Sequence, residues 1–255
     1  MLSEKRRSEI AKYVEEKESA SIHDLSEKFS VTLMTINRDL RKLHEEGKLI
    51  VARGGAMKGS EKIPESYFSQ RINSNLDIKQ ILAEKALKYI KPDDFIMLDS
   101  STTAIILCRK IIQENIKNLT IITNSNTLIN ELVSRDGITV ISTGGILLSK
   151  FQCLVGPLAE LLISQVRVNK FFFSVAGISI GGELTDTDIQ EVNIKKEMMK
   201  VSTKKILLVG SHKFNKIGLY KVADVENLDL VISDGGKGSE AFLEEIKNKG
   251  VEVEV

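Results

Sequence analysis

A chain of 255 residues, 42% of them hydrophobic, can hold one large domain or a small domain joined to a medium one. With 36 Lys or Arg against 35 Asp or Glu the formal net charge is +1, which excludes strong global attraction to nucleic acid; any such affinity must come from local clustering and self-association. Two cysteines in apolar surroundings, Cys108 and Cys153, read as buried thiols and exclude a disulfide scaffold.

Residues 3–17 read as a first helix with Ile10, Ala11 and Val14 on its packing face. Ser21 and Asp24 have capping-box spacing and open a short helix with Leu25 and Phe29 on one side. After a turn of about three residues, Thr32 is a natural N-cap, and Ile36, Leu40 and Leu43 leave one apolar stripe on an otherwise polar, basic helix. That order predicts a helix-turn-helix whose second helix reads DNA. Leu33, Met34, Thr35, Asn37 and Arg38 would face a major groove, where Asn pairs with adenine and Arg with guanine, while Arg41 and Lys42 suit phosphates. Gly47 ends the helix, and Leu49, Ile50 and Val51 lead to Arg53 and Gly54-Gly55, a short β-ribbon wing with a basic tip. The competing reading is an ordinary amphipathic helix with a solvated charged face. From Arg38 to Lys58 there are six Lys or Arg against three Asp or Glu, so positive charge is concentrated on the reader helix and wing.

This motif fills residues 1–58, and residues 59–75, with Gly, Ser and Pro64 and no apolar period, read as a linker that carries Tyr67, Phe68 and Arg71. Residues 76–255 form the second domain. A helix over Leu76 to Ile90 ends at the Lys91-Pro92-Asp93-Asp94 turn. Short β-branched runs then follow at 95–99, 119–123, 138–142, 170–175, 205–210, 228–233 and the last five residues, with helices between most of them. Near-continuous apolar strands separated by helices predict a parallel sheet covered on both faces, α/β and Rossmann-like in the broad sense.

In such sheets ligands collect at the carboxyl ends of the strands, where helix N-termini offer free amides. Those ends carry Asp99-Ser100-Ser101-Thr102-Thr103, Thr123-Asn124-Ser125-Asn126, Ser142-Thr143-Gly144-Gly145, then Gly177, Asp186, Asp188 and Glu191, and Gly210-Ser211-His212-Lys213. Each cap singly is a structural feature; together they suit a phosphate at the Ser101-Thr102-Thr103 helix start, with sugar hydroxyls near Asp99, Asn124 and Lys213. There is no GxGxxG and no Walker lysine, which disfavours a dinucleotide or a nucleoside triphosphate.

Arg6, Ile10, Val14, Thr32, Thr35, Ile36, Arg38, Asp39, Leu40, Gly47 and Gly54-Gly55-Ala56 resemble the N-terminal signature of the DeoR family of bacterial transcriptional regulators, with Asn37 and Arg38 where that family usually has two Arg. DSSTT, TNSNT, STGG, GELTD and SHKF resemble its C-terminal sensor domain, so the resemblance covers nearly the whole chain. It implies a sensor related in fold to ribose-5-phosphate isomerase that binds a phosphorylated sugar through Asp99, Ser101, Thr102, Thr103, Asn124, Gly144, Gly145 and Lys213. It also implies a repressor of a sugar-metabolism operon, binding an operator through Thr32, Met34, Thr35, Asn37, Arg38, Arg41, Lys42 and Arg53.

Two other functions compete. A sugar-phosphate isomerase with an appended DNA-binding module needs a base poised at the substrate, yet the strand ending in Val175-Ala176-Gly177 carries no carboxylate there. An architectural DNA-binding protein explains the helix-turn-helix but not the polar strand ends. The expectation is therefore a regulator and not an enzyme: a homo-oligomer, dimer or tetramer, on double-stranded DNA, without cofactor. No metal-ligand spacing exists among His23, His44, His212 and the cysteines. The charged start MLSEKRRSEI and the lack of any apolar run approaching about 18 residues predict a cytoplasmic protein without membrane contact.

Overall fold

The computed structural model describes residues 3–17, 19–45, 49–52, 55–58 and 67–255, which fall into two compact units divided after Ser66. In the first unit α1 (Ser3–Lys17) is followed by β1 (Ser19–Ser21), α2 (Ile22–Phe29), α3 (Leu33–Glu45), β2 (Leu49–Ala52) and β3 (Gly55–Lys58). The Ser21–Asp24 capping box starts α2, and Ser30 in the left-handed conformation ends it. Thr32 accepts from the Thr35 N–H at 3.3 Å and sets the start of α3. Ile10, Val14, Leu25, Ile36, Leu40, Leu43 and Leu49 make the core, all at most 1% exposed, so the apolar stripes read from the sequence do meet. Asp39 is buried with them and pairs with Arg6, Nε to Oδ2 2.7 Å, tying α1 to α3.

The wing pairs β2 with β3 antiparallel, and β1 adds a third strand on β3 that sequence reasoning did not find. Gly47, Arg53 and Gly54, including the expected basic tip, lie outside the described residues.

The second unit opens with α4 (Tyr67–Asn73), a correction to the linker expected over 59–75: its C-terminal half is helical, with Phe68 buried and Ile72 partly buried against the core. Then follow α5 (Leu76–Leu87), β4 (Phe95–Leu98), α6 (Thr102–Gln113), β5 (Leu119–Thr123), α7 (Asn126–Leu132) and β6 (Ile138–Ser142). A hairpin of β7 (Ile146–Leu148) and β8 (Cys153–Val155) leads to α8 (Pro157–Ser164), β9 (Val168–Phe173), β10 (Gly177–Ile178) and β11 (Glu183–Asp186). The chain closes with α9 (Ile189–Lys200), β12 (Ser202–Val209), β13 (Tyr220–Asp224), β14 (Leu230–Ser233), α10 (Glu240–Asn248) and β15 (Glu252–Glu254).

Seven of these strands form an all-parallel sheet in the order β15-β14-β12-β9-β4-β5-β6. The run Phe171-Phe172-Phe173 shows why both faces are covered. Phe171 and Phe173 stack at 4.7 Å in the core on one side, and Phe172 enters the core on the other. From β4 the chain runs outward to β6, then returns to β9 on the opposite flank, so the order reverses between β4 and β9 and opens a crevice at their carboxyl ends. A small antiparallel sheet, β10-β11-β13, stands beside it. No helix among the described residues is long and apolar enough to cross a membrane.

Candidate functional site

In the first unit the buried side chains of α3 are Ile36, Asp39, Leu40 and Leu43, which leaves Met34, Asn37, Arg38, Arg41 and Lys42 exposed on the opposite side, Met34 by 83%. Thr32 is exposed as the cap, its hydroxyl 3.0 Å from that of Thr35. Asn37 Nδ2 donates to the Leu33 carbonyl at 3.0 Å, so its amide lies along its own helix. The helix thus presents short polar groups, a flexible thioether and three cations on one surface.

In the second unit a cavity of about 210 Å³ lies at the switch point. It gathers Thr102 from the start of α6, Val175 and Ala176 beyond β9, and His212 and Lys213 beyond β12. Arg71 of α4, Lys79 of α5 and Lys216 complete a lining with four cations against one carboxylate, Asp186.

Each cation has a distinct placement. Lys213 Nζ donates to Ser174 Oγ at 2.9 Å, and that hydroxyl donates to the Leu208 carbonyl at 2.7 Å. Burial, with Arg71 close by, lowers Lys213 to about 8. Lys79 spends its ammonium on the Arg71, Ile72 and Ser74 carbonyls at the end of α4; burial and the charge of Arg71 lower it to about 8 as well. The backbone of Lys216 is seated against Gly177, where a Cβ would collide with the Lys216 carbonyl. Burial and Lys213 lower His212, and its Nδ1 has no hydrogen-bond partner among the described residues.

Below the pocket lies a buried charge cluster. Lys195 Nζ sits 2.8 Å from Asp186 Oδ2 and 3.7 Å from Asp99 Oδ2. Glu191 accepts from Ser100 Oγ at 3.0 Å. Burial opposes the Lys195 charge, but Asp186, Glu191 and Asp99 together outweigh it and hold its pKa above the usual lysine value. Burial raises Asp99 and Glu191; at Asp186 it is outweighed by Lys195 and the Thr187 N–H, which leave that carboxyl below its ordinary value. The one carboxylate in the lining is therefore a weak base, and the groups beyond β9 are Val175 and Ala176.

Of the residues expected to bind a ligand, the pocket brings together Thr102 and Lys213. The others lie outside its lining. Asp99 is buried and accepts from the Ser101 and Ser174 N–H groups, which places Ser174 for Lys213. Ser101 caps α6 through the Ala104 N–H at 3.2 Å, and Thr103 is buried beside it. Asn124 is buried, donating to the Leu154 carbonyl at 3.2 Å with Oδ1 unpartnered among the described residues. Gly144, at φ +63, and Gly145, at φ +106, turn the chain into β7, where a Cβ on Gly145 would strike Val155. Arg71, Lys79, His212, Asp186 and Lys216 line the same pocket and were not among the residues expected to bind a ligand. A lone cation in a polar stretch, such as Arg71, carries no strand-end signal.

Residues 6–62 match the family model for the DeoR-like helix-turn-helix domain, and residues 74–235 match that for the DeoR C terminal sensor domain. The chain is 37% identical to the uncharacterized HTH-type transcriptional regulator YulB of Bacillus subtilis, over 99% of this chain and 96% of that protein. It is 32% identical to the L-fucose operon activator of Haemophilus influenzae, over 88% and 89%, and 28% identical to a putative aga operon transcriptional repressor of Escherichia coli O157:H7, over 97% and 92%. Among solved structures it is similar to ribose 5-phosphate isomerase A of Methanocaldococcus jannaschii, with TM-score 0.40 and 18% identity over 55% of each chain.

Proposed function

The chain belongs to the DeoR family of transcriptional regulators, and we propose that it represses a sugar-metabolism operon and is modulated by a phosphorylated sugar bound in the strand-end pocket. It is a DNA-binding regulator and not an enzyme. The observation that carries the effector reading is the convergence of Arg71, Lys79, Lys213 and Lys216 on the α6 start at the switch point. A phosphate monoester carries about −1.5 to −2 charges near neutral pH, and this lining offers it cations, a helix N-terminus and the Thr102 hydroxyl. Asp186, Thr187 and His212 remain to accept from or donate to hydroxyls. The names of relatives that act on the L-fucose and aga operons support the sugar side of the reading.

Phosphate dominates affinity in this reading. Each charge-assisted hydrogen bond contributes roughly 1.5–3 kcal/mol, so an unphosphorylated sugar should bind roughly a hundredfold weaker than its phosphate. Calorimetry with matched pairs checks this, on the wild type and on Thr102→Glu and Lys213→Met, both of which should lose phosphate binding. A free sugar that binds as tightly as its phosphate would move the site elsewhere. The pH dependence has a fixed sign. Lys79 and Lys213 are lowered to about 8, so the empty protein is destabilised as pH falls through that value, because the unfolded chain takes the protons more readily. A bound anion favours the protonated forms, so affinity should hold below about 8 and fall by up to roughly tenfold per pH unit per lysine above it. A flat profile from about pH 7 to about 9.5 in buffers of constant ionic strength would remove these lysines from the site.

On the DNA side, we infer that the exposed face of α3 enters the major groove of a double-stranded operator, with Thr32, Met34, Thr35, Asn37 and Arg38 toward bases and Arg41 and Lys42 toward phosphates. Arg53 keeps its expected role from the sequence alone. One reader helix on a chain of net charge +1 supplies little affinity at physiological salt, so a homo-oligomer in the cytoplasm acting on repeated half-sites belongs to the reading. Asn37 must exchange its Leu33 carbonyl for an adenine edge, so Asn37→Ala should cost about 1–3 kcal/mol at one base pair and little elsewhere. Lys42→Ala should weaken every sequence alike and flatten the salt slope by about one. Anisotropy with duplexes selected from random sequence by the full chain, and with their point variants, separates the two; equal loss on all duplexes for Asn37→Ala would end its base-reading role.

A further inference from the structure

The helix α8 is apolar on more than one side. Its sequence Pro-Leu-Ala-Glu-Leu-Leu-Ile-Ser holds one charged residue, Glu160. Ala159 and Ile163 are buried in the core, as one face of a surface helix should be. Leu158 and Leu161, one turn apart on another face, are 70% and 59% exposed, and Pro157 is exposed beside them. The β7-β8 hairpin extends this surface. Gly145 lies against α8, where a Cβ would stand 3.1 Å from that of Ala159. Ile146, 59% exposed, reaches the start of the helix, since a Cβ on Gly156 would stand 3.4 Å from its Cδ1. A helix that is apolar all round is ordinarily buried, and here half of its apolar surface faces outward.

The chemistry of the patch narrows what covers it. Glu160 is turned to α9, where it lines a groove with Lys196 and Lys200, so the outward face of α8 carries no charge. At its edge the Ser164 hydroxyl donates to the Leu161 carbonyl at 2.7 Å and Gln165 Nε2 donates to Ser164 Oγ at 3.2 Å, so these rim groups are already paired within the chain. An uncharged apolar face gains little from a phosphate backbone and most from a second apolar face. Among the described residues of the first unit the exposed large apolar side chains are Leu33, Met34 and Val51, on the reader helix and the wing. A copy of the same face is the better match. A two-fold contact sets each group near its equivalent, and an uncharged patch then meets no like charge.

Size agrees. Ile146, Pro157, Leu158 and Leu161 expose roughly 400 Å² per protomer, in the range at which an apolar patch on a soluble chain marks an interaction site. Buried on both copies this is about 800 Å² of apolar surface; at the roughly 65% apolar content of homodimer interfaces the whole contact comes to about 1,200 Å², the lower end of stable interfaces.

We propose that the outward face of α8, with Ile146 of the hairpin, is the two-fold contact between two copies of this chain. This rests on the reading of the chain as a homo-oligomer and gives that reading a surface, one that shares no residue with the lining of the strand-end pocket. Pairing there supplies the two helix-turn-helix units that repeated half-sites require.

Sedimentation equilibrium of the full chain tests this. The wild type should associate with a Kd of about 10 μM or tighter. Leu158→Glu with Leu161→Glu, and Leu158→Lys with Leu161→Lys, should each associate about a hundredfold more weakly, because like charges then face one another, and the two variants mixed in equal amounts should recover most of the association. Leu158→Cys and Leu161→Cys disturb packing less, and a short bismaleimide should join at least one of them to its copy, whereas the wild type, with Cys108 and Cys153 buried, should stay unlinked. A wild type that associates while both charged variants associate equally well, a loss that mixing fails to recover, or no cross-link from either position would each overturn this face and spare the homo-oligomer. A monomeric wild type would overturn both; Leu158→Cys shielded from the reagent in that monomer would give the face to the chain's own first unit, and Leu158→Cys open to it would give the face to a different protein.

Discussion

Lys195→Met is expected to lower the stability of the α/β unit by about 3–5 kcal/mol at neutral pH, the range seen when one member of a buried ionic group is removed. Lys195 is 4% exposed and is the shared counter-ion of Asp186, Asp99 and Glu191, all buried. Methionine keeps the volume of the stem but leaves three carboxyls in a region of low dielectric without a cation. The pH dependence distinguishes this from lost packing. Burial already raises Asp99 and Glu191, so their contribution is favourable at low pH and lost as pH rises through their folded values. Asp186 is lowered in the wild type, so its contribution is present above the ordinary carboxyl value and lost as pH falls through the folded one. Without Lys195 all three carboxyls move upward, and protonation then relieves the variant. Urea unfolding at pH 7 and at mildly acid pH should show the difference from wild type shrinking as pH falls; a loss below about 1 kcal/mol, in the range of a surface pair, would mean that water reaches the cluster. Phosphate binding should fail in the variant even where it folds, because Asp186 and, through Asp99 and Ser174, Lys213 lose their fixed positions.

This cluster also marks where sequence reasoning stops. The main sheet was legible because each of its inner strands is a continuous apolar run, and runs such as Phe171-Phe172-Phe173 can only be satisfied with helices on both faces. The strands β1, β7, β8 and β10 have two or three residues each, too few for a period, and were found by the structure alone. At the site, strand-end logic reached Thr102 and Lys213 because both follow strands next to the switch point. The same logic named Asp99, Ser101 and Asn124, which lie outside the lining of that pocket. A polar side chain after a strand has two possible employers, the ligand or the backbone amides of the next turn, and spacing does not distinguish them. It did not name Arg71 and Lys216, whose arrival in the lining depends on how α4 packs and on the close approach at Gly177. In the helix-turn-helix the reader face was legible from the stripe Ile36, Leu40 and Leu43, but that face is specified by what lies opposite, and opposite it Asp39 is buried.

Asp39→Ala is expected to cost about 3–5 kcal/mol in the first unit and to abolish specific DNA binding. The carboxylate is 1% exposed, accepts from Arg6 Nε at 2.7 Å and has Arg7 Nη1 at 3.9 Å, so it joins the first helix of the unit to the reader helix inside an apolar core. Alanine leaves Arg6, itself 8% exposed, as a buried cation without its counter-ion. An exposed pair would be worth 0.2–1 kcal/mol by contrast, roughly the median for surface ion pairs. The pair's geometry matters as much as its energy. Asp39 lies between Arg38 and Leu40 on α3, and a helix that rotates to hydrate Arg6 would turn Asn37 and Arg38 away from a groove. A double variant separates charge from packing: Arg6→Met with Asp39→Leu should fold at least as well as either single change, since an apolar replacement of a whole buried pair is often neutral or stabilising. Hydrogen exchange of the α1 and α3 amides in the full chain reads stability of this unit without interference from the other, and anisotropy on a selected duplex reads DNA affinity. A small loss for Asp39→Ala, or a double variant worse than the sum of its parts, would show the pair to be solvated and would return the docking of α1 on α3 to Ile10, Val14, Ile36 and Leu40 alone.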